Sequence, residues 1–286
     1  SWRLLYKMKV LVLGSAGQIG APLVKHLKSN GHTVYEMDIV NDPHWQDLTI
    51  KNNVYLLEKV IQCDFIFFLA YDVGGSEYLK TYQHTYDFIH NNCVMMSEVF
   101  HTIKCMNKKF VFASSQMSNM NFSPYGVLKR IGEYYTQSLN GLFVHFWNVY
   151  GYETDPEKYH VISDFIRKGL DTGKIEMRTD GQEERDFLYV GDCCKALESI
   201  MINYDHIDRN EKLHITTGEF TKIIDIAKII QSKFESVGKS VEVVPSLNKD
   251  TVQQYVKNTS STYIRKWWKP ETTIEQGISN IFDITK

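Results

Sequence analysis

The sequence predicts an α/β protein: a doubly wound parallel sheet followed by a smaller C-terminal α/β lobe that would bind substrate. Three observations carry that reading. Short, continuous apolar runs alternate with helical stretches as far as about residue 150. The first of these runs opens directly into a glycine-rich turn. Later runs end in small or polar residues, the pattern of buried parallel strands that deliver functional groups to one sheet edge.

Composition narrows the class. The 286 residues suffice for one large domain or for a domain plus a lobe. Contents of 43% hydrophobic and 23% charged residues are ordinary for a soluble globular protein. A formal net charge of −2 gives no electrostatic basis for binding nucleic acid or an anionic membrane. No apolar stretch nears the roughly 20 residues of a membrane helix, and the N-terminus has no signal-peptide apolar core. Cys63, Cys93, Cys105, Cys193 and Cys194 show no metal-binding spacing, and their odd number argues against a secreted disulfide framework. The ten histidines are scattered. A cytoplasmic protein without a metal site is expected.

Taken in order, Lys9–Leu13 reads as a strand, Gly14-Ser15-Ala16-Gly17-Gln18-Ile19-Gly20 as a turn, and the segment to about Ser29 as a helix. Glycines at these positions permit a tight turn, backbone approach to a diphosphate and close helix–strand packing. The helix N-terminus adds free N–H groups and a positive dipole. Residues 32–37 form a second strand ending at Asp38, about 20 residues beyond the glycines, where an acid suits the two ribose hydroxyls of adenosine. Asp38 would repel a 2′-phosphate, and no adjacent arginine is present to accept one, so NAD is favoured over NADP. This is a Rossmann-type nucleotide site. Asp47 and Leu48 follow a presumed third strand and are placed at the adenine, with a surface turn as the alternative. The apolar run at residues 64–70 is a buried strand ending at Leu69 and Ala70. Tyr71-Asp72-Val73-Gly74-Gly75 then turns at the same edge, and a long helix over residues 82–106 carries Asn92.

Residues 110–113 form a further strand and present Ser114 and Ser115 at its end. Ser123-Pro124 is an N-cap followed by proline in the first helical turn. That helix carries Tyr125 and Lys129 four residues apart, on one face. A hydroxyl, a phenol and an ammonium thus meet at one sheet edge. Residues 141–147 are another strand, ending in Asn148-Val149-Tyr150-Gly151. Beyond it the alternation loosens into a polar loop (152–159), a helix (162–170), a strand (174–177), the segment Arg185 to Asp192, a helix to about Tyr204, a strand (213–216) and an amphipathic helix (223–234). The nucleotide domain is assigned to residues 8–150 and the lobe to 151–286, with segments free to cross back.

Together these motifs resemble the extended short-chain dehydrogenase/reductase family, in its branch of NAD-dependent nucleotide-sugar epimerases and dehydratases. The resemblance runs from Met8 to about Ile281. It rests on Gly14 to Gly20, Asp38, Asn92, Ser115, Tyr125 with Lys129, Asn148-Val149-Tyr150-Gly151, Arg185 to Asp192, and Trp268 to Gly277. It implies a bound NAD that is oxidant and reductant within one turnover. Tyr125 would take the proton of a sugar hydroxyl, Ser115 would hydrogen-bond the reacting oxygen, and Lys129 would hold the nicotinamide ribose. An ordinary tyrosine titrates near pH 10, so Tyr125 is expected to be lowered by Lys129 and the positive nicotinamide. Gly14, Gly17, Gln18, Ile19, Gly20, Asp38, Asp47, Leu48, Leu69, Ala70 and Asn92 are expected at the cofactor. Asp72, Gly74, Gly75, Gln116, Asn148 and Arg185 are expected at the substrate. The guanidinium fork of Arg185 suits paired diphosphate oxygens; an ion pair with Asp186 or Asp192 is the alternative. Trp267 and Trp268 are expected to pack rather than to stack on a ligand.

Departures from the family choose among reactions. The similar 4,6-dehydratases place Asp-Glu directly after the catalytic Ser or Thr; Gln116 and Met117 stand here, and neither shuttles a proton. Asp72-Val73-Gly74-Gly75 resembles a segment of the GDP-mannose 3,5-epimerases, whose acid/base cysteine is replaced by Met117. What remains needs only Tyr125, Lys129, Ser115 and NAD: epimerisation of a nucleoside-diphosphate sugar, at C4, through a 4-keto sugar. A nucleotide-4-keto-sugar reductase and a non-catalytic NAD-binding regulatory module are the alternatives. The resemblance also implies a homodimer built on the Tyr125 helix and the 82–106 helix. Phe88, Val99 and Tyr134 are candidate interface positions, with core packing an equal explanation. Ser115 and Tyr125 are only ten residues apart, so the loop that walls the sugar pocket in extended members is cut back. The pocket is then either more open or closed by residues 72–75.

Overall fold

Strand β1 (Lys9–Leu13) is apolar from Val10 onward, and both of its faces are buried. The computed structural model describes residues 7–252 and 259–286; of the Ser1–Lys7 stretch that precedes the domain, only Lys7 lies among them. Val10 and Val12 pack with Leu23 and Leu27 of α1 (Gly20–Ser29) on one side. Leu11 and Leu13 pack with Leu56 and Val60 of α2 (Val54–Gln62) on the other. A strand covered on both faces has no polar side to show, so it reads as a continuous apolar run.

The sheet grows outward from β1. β2 (Thr33–Met37) and β3 (Phe65–Phe68) flank it in parallel. After α3 (Ser76–Tyr82) and α4 (Tyr86–Met106), β4 (Lys109–Ser115) pairs with β3, and after α5 (Pro124–Ser138), β5 (Leu142–Phe146) pairs with β4. The chain continues through β6 (Asn148–Tyr150), α6 (Val161–Thr172), β7 (Lys174–Glu176), β8 (Glu184–Arg185), β9 (Phe187–Tyr189) and α7 (Val190–Ile202). β10 (Leu213–Ile215) then returns to pair with β5, before β11 (Thr221–Lys222), α8 (Ile223–Ser236), β12 (Glu242–Val244) and α9 (Ile274–Thr285). The six-stranded order is β10-β5-β4-β3-β1-β2. Its direction of growth reverses beside β1, which opens a crevice at the carboxyl ends of β1 and β3. A segment beyond residue 150 therefore does cross back into the large sheet.

The lobe has its own core, in which Phe165, Ile226, Ile230, Phe234 and Phe282 are buried. Trp268 is buried in the core that α1 and α7 share, and Trp267 packs at its edge. No helix among the described residues is long and apolar enough to cross a membrane.

Three expectations need correction. No strand forms between β2 and α2; Asn41-Asp42-Pro43 breaks the segment into turns. Asp47 folds back on Thr49, accepting from its amide at 2.8 Å and its hydroxyl at 2.7 Å, while Leu48 is buried with Leu11 and Leu13. The helix expected over residues 82–106 starts later, at Tyr86, because the Thr85 hydroxyl caps it by accepting from the Phe88 amide, and a separate short helix ends at Tyr82. Phe88 and Val99 are buried in this chain's own core, whereas Tyr134 is exposed.

Candidate active site

The glycine turn is shaped by close approach. Gly14 adopts φ +86°, and a Cβ there would stand 2.7 Å from the Ala70 amide nitrogen. Its own amide donates to the Met37 carbonyl at 2.9 Å, and the Leu69 amide donates to the Leu13 carbonyl at 3.0 Å. These bonds draw Leu69, Ala70 and the end of β2 around the turn. Asp38 completes it: its carboxylate accepts from the Ala16 amide at 2.9 Å and from the Val40 amide at 3.0 Å. Gln18 donates to the Val149 carbonyl at 3.2 Å, tying the turn to β6, and Ile19 packs on the adjoining core. Helix α1 begins at Gly20 without a side-chain cap, and the Ala21 amide donates to the Gly17 carbonyl at 3.0 Å.

Ser115 ends β4, and its hydroxyl, which accepts from the Met117 amide at 3.1 Å, lies beside the Tyr125 phenol. Ten residues suffice to join them because Gln116–Asn119 coils into a single 3-10 turn. Ser123 then caps α5, accepting from the Gly126 amide at 3.1 Å, with Pro124 in the first turn. Helix and turn touch: a Cβ on Gly126 would meet the Met117 carbonyl oxygen at 2.2 Å. Lys129, one turn further along, is buried and donates to the Ala113 carbonyl at 2.6 Å. Its Nζ lies 3.7 Å from the centre of the Tyr71 ring and 5.8 Å from that of Tyr125. Burial lowers Lys129 to about 7, against the opposing charge of Glu133. Burial likewise pushes Tyr125 up to about 12, against the opposing effect of the Ser115 hydroxyl. The lowering expected for Tyr125 is thus not supplied by the chain's own groups, since the Lys129 ammonium faces the Ala113 carbonyl and Tyr71.

The substrate side is built from three loops. Asn92 is fully buried rather than open to the crevice. It accepts from the Asp72 amide at 2.9 Å and donates to the Phe88 carbonyl at 3.0 Å, which fixes the turn after β3. Asp72 accepts from the Tyr78 hydroxyl at 2.5 Å and pairs with Lys158 at 3.6 Å. Gly74 sits against the Tyr78 ring, and the Gly75 amide donates to the Lys158 carbonyl at 3.1 Å. Residues 72–75 are therefore stitched to the loop after β6. A cavity is lined by Asn148, Tyr159, His160, Met177, Arg185 and Asp250. The Asn148 amide nitrogen is buried without a protein partner. Gln116 is buried directly behind Ser115.

Arg185 pairs with neither expected acid. It donates to Asp250 at 2.5 Å and to the Glu184 carbonyl at 2.8 Å. Asp186 instead accepts from Thr217 and from the Gly218 amide, and Asp192 accepts from the amides of Glu271 and Thr272. Both acids serve loops of the lobe.

The profile of the NAD-dependent epimerase/dehydratase family matches residues 10–216, from the first strand through β10. The chain belongs to that family. A Methanocaldococcus jannaschii protein, to which UDP-glucose 4-epimerase activity is ascribed, is 26% identical over 313 residues, covering 97% of this chain and 98% of its own. An epimerase of Methanothermobacter thermautotrophicus superposes with a TM-score of 0.82 at 21% identity, over 99% of this chain and 93% of that one. A GDP-6-OMe-4-keto-L-xylo-heptose reductase of C. jejuni gives 0.82 at 18% identity, over 97% of each chain. At such identities the two structures speak to the fold alone, which epimerase and reductase share.

The family's cofactor is NAD, and the residues around the glycine turn fit it. The uncapped end of α1 suits a diphosphate, the Asp38 carboxylate stands where a ribose diol would bind, and the buried Ser15 hydroxyl has no protein partner. Two residues beside the family's shared set had no signature in the sequence. His160 lines the cavity beside Asn148 and Arg185 and pairs with Glu153, Nδ1 to Oε1, at 2.6 Å. Tyr71 covers Lys129. The first depends on a loop closing over seven residues, and the second on a contact between the turn after β3 and helix α5, far apart in sequence.

Proposed function

We propose that this family member is a nucleotide-sugar epimerase that inverts C4 through a 4-keto sugar. The juxtaposition of Ser115 and Tyr125, with buried Lys129 one turn away on α5, is the observation that carries the proposal. Bound NAD would take the C4 hydrogen with its electron pair and return it to the other face. Tyr125 would take the proton from the C4 hydroxyl as the C–H bond breaks, and Ser115 would hold that oxygen in line. Lys129 suits the nicotinamide ribose, and the positive charge of bound nicotinamide would favour the tyrosinate. Arg185 and Asn148 would hold the diphosphate, leaving the keto sugar free to rotate about it before Tyr125 gives the proton back. The ascribed activity of the M. jannaschii relative agrees with this reading.

A homodimer is part of the proposal. Ile89 on α4, and Val127, Ile131 and Tyr134 on α5, are exposed apolar or aromatic positions on the two helices. They replace Phe88 and Val99 as interface candidates.

His160 supports a second reading. An imidazole oriented by a carboxylate can exchange a proton at a carbon next to the 4-keto group, which would extend inversion to C3 or C5. Incubation with nucleotide sugars in D2O and no added cofactor separates the two. Inversion at C4 leaves the carbon-bound hydrogens undeuterated, whereas exchange at C3 or C5 introduces solvent deuterium.

A further inference from the structure

Lys129 is buried, so the groups around it decide whether its charge persists. Its own helix contributes Tyr125 and the carboxyl of Glu133, which in turn holds His145 of β5 at 2.6 Å. Strand β4 contributes the Ala113 carbonyl at 2.6 Å and the Phe112 ring at 5.1 Å. The turn after β3 contributes Tyr71, whose ring centre lies 3.7 Å from Nζ. No other ring described in the pocket is as near, and 3.7 Å is contact between an ammonium and an aromatic face. A desolvated cation over a ring face is held by the ring quadrupole.

Tyr71 is also built to stay there. The following residue, Asp72, is clamped on its amide and its carbonyl by the fully buried Asn92, at 2.9 Å and 3.3 Å. The ring stands edge-on to Tyr125, with centres 6.0 Å apart and planes at 78°. Its hydroxyl faces the Met96 sulfur at 3.9 Å, a weak partner. The face of the ring, rather than the hydroxyl, makes the strong contact.

We propose that Tyr71 is a positioning residue, whose ring face keeps the Lys129 ammonium charged and beside Tyr125. The inference rests on the catalytic reading of Tyr125 and Lys129 given above. Its consequence is definite. Without the ring, Lys129 loses its proton at lower pH, and the alkaline limb of turnover moves down with it.

The test is titration of Lys129 in protein labelled with 13C at the lysine ε-carbons, its resonance assigned by loss in Lys129→Gln. Wild type and Tyr71→Phe are expected to titrate together, because both present an aromatic face. Tyr71→Leu is expected to titrate about one pH unit lower. Pentafluorophenylalanine at position 71 keeps the shape but reverses the ring quadrupole, so it serves if the leucine variant does not fold, and the same downward shift is expected. An unchanged titration in either the leucine or the pentafluorophenylalanine variant overturns the proposal, as does a shift in Tyr71→Phe as large as in leucine. The titration needs no turnover. Failure of this inference is therefore seen separately from failure of the catalytic reading, which Tyr125→Phe addresses.

Discussion

The Asp38 carboxylate accepts a hydrogen bond from the Ala16 amide at 2.9 Å, across 22 residues of sequence. One acid thereby shapes the glycine turn, and in the proposed reading its charge would face the adenosine ribose. Substituting Asp38→Asn should weaken NAD about tenfold or more, the worth of a charge-assisted hydrogen bond. It should weaken NADP less, because repulsion of a 2′-phosphate is relieved at the same time. Calorimetric titration with both dinucleotides checks the difference.

Arg185 shares the cavity with Asn148 and is held by Asp250. A guanidinium can grip two diphosphate oxygens at once, and an ammonium cannot. Arg185→Lys should raise KM for the nucleotide sugar about tenfold and change kcat much less. Steady-state kinetics separates the two parameters; an unchanged KM would remove Arg185 from the diphosphate.

Glu198 on α7 accepts from Asn30 beyond α1 with both oxygens, at 3.0 and 2.9 Å, and lies 3.4 Å from His26 and 3.3 Å from His32. Burial alone would raise this carboxyl, but the bonds from His26 and Asn30 outweigh it and hold the group at about 2. A folded value below the ordinary one means stability that is full above about pH 4.5 and is lost as the pH falls toward 2. Glu198→Gln should therefore cost about 2 kcal/mol at pH 6 and clearly less at pH 3. Urea denaturation of both proteins at the two pH values measures it.

Much of the fold was legible because its signals are local. The glycine turn, the apolar runs of β1, β3 and β4, and Ser123-Pro124 each announce themselves within a few residues, and Tyr125 and Lys129 follow from helical spacing. What was not legible depends on partners distant in sequence or on weak local contrast. β10 is three residues long, and nothing in Leu213–Ile215 says that it will join β5. Thr85 is an unremarkable residue in a polar stretch until its hydroxyl meets the Phe88 amide. Arg185 finds Asp250 across 65 residues, past two nearer acids that the lobe had already engaged. The direction of the Tyr125 shift also depended on packing, because sequence spacing does not show that Lys129 turns toward Ala113.

Tyr125→Phe should lower turnover by about 10³-fold or more, the contribution of a positioned acid/base group. NAD should remain bound, since the glycine turn and Asp38 are untouched. Activity assays and the absorbance of nucleotide released on denaturation check both halves. Turnover near the wild-type rate would remove Tyr125 from the proton-transfer role.

The central claim is that one bound cofactor lifts the hydrogen from C4 and returns it to the same carbon. A nucleoside-diphosphate sugar carrying deuterium at C4, incubated with the purified protein and no added dinucleotide, tests this by NMR. The expected result is the C4 epimer with its deuterium still on C4. Product that forms only with stoichiometric NADPH, or that has lost the label, would contradict the account.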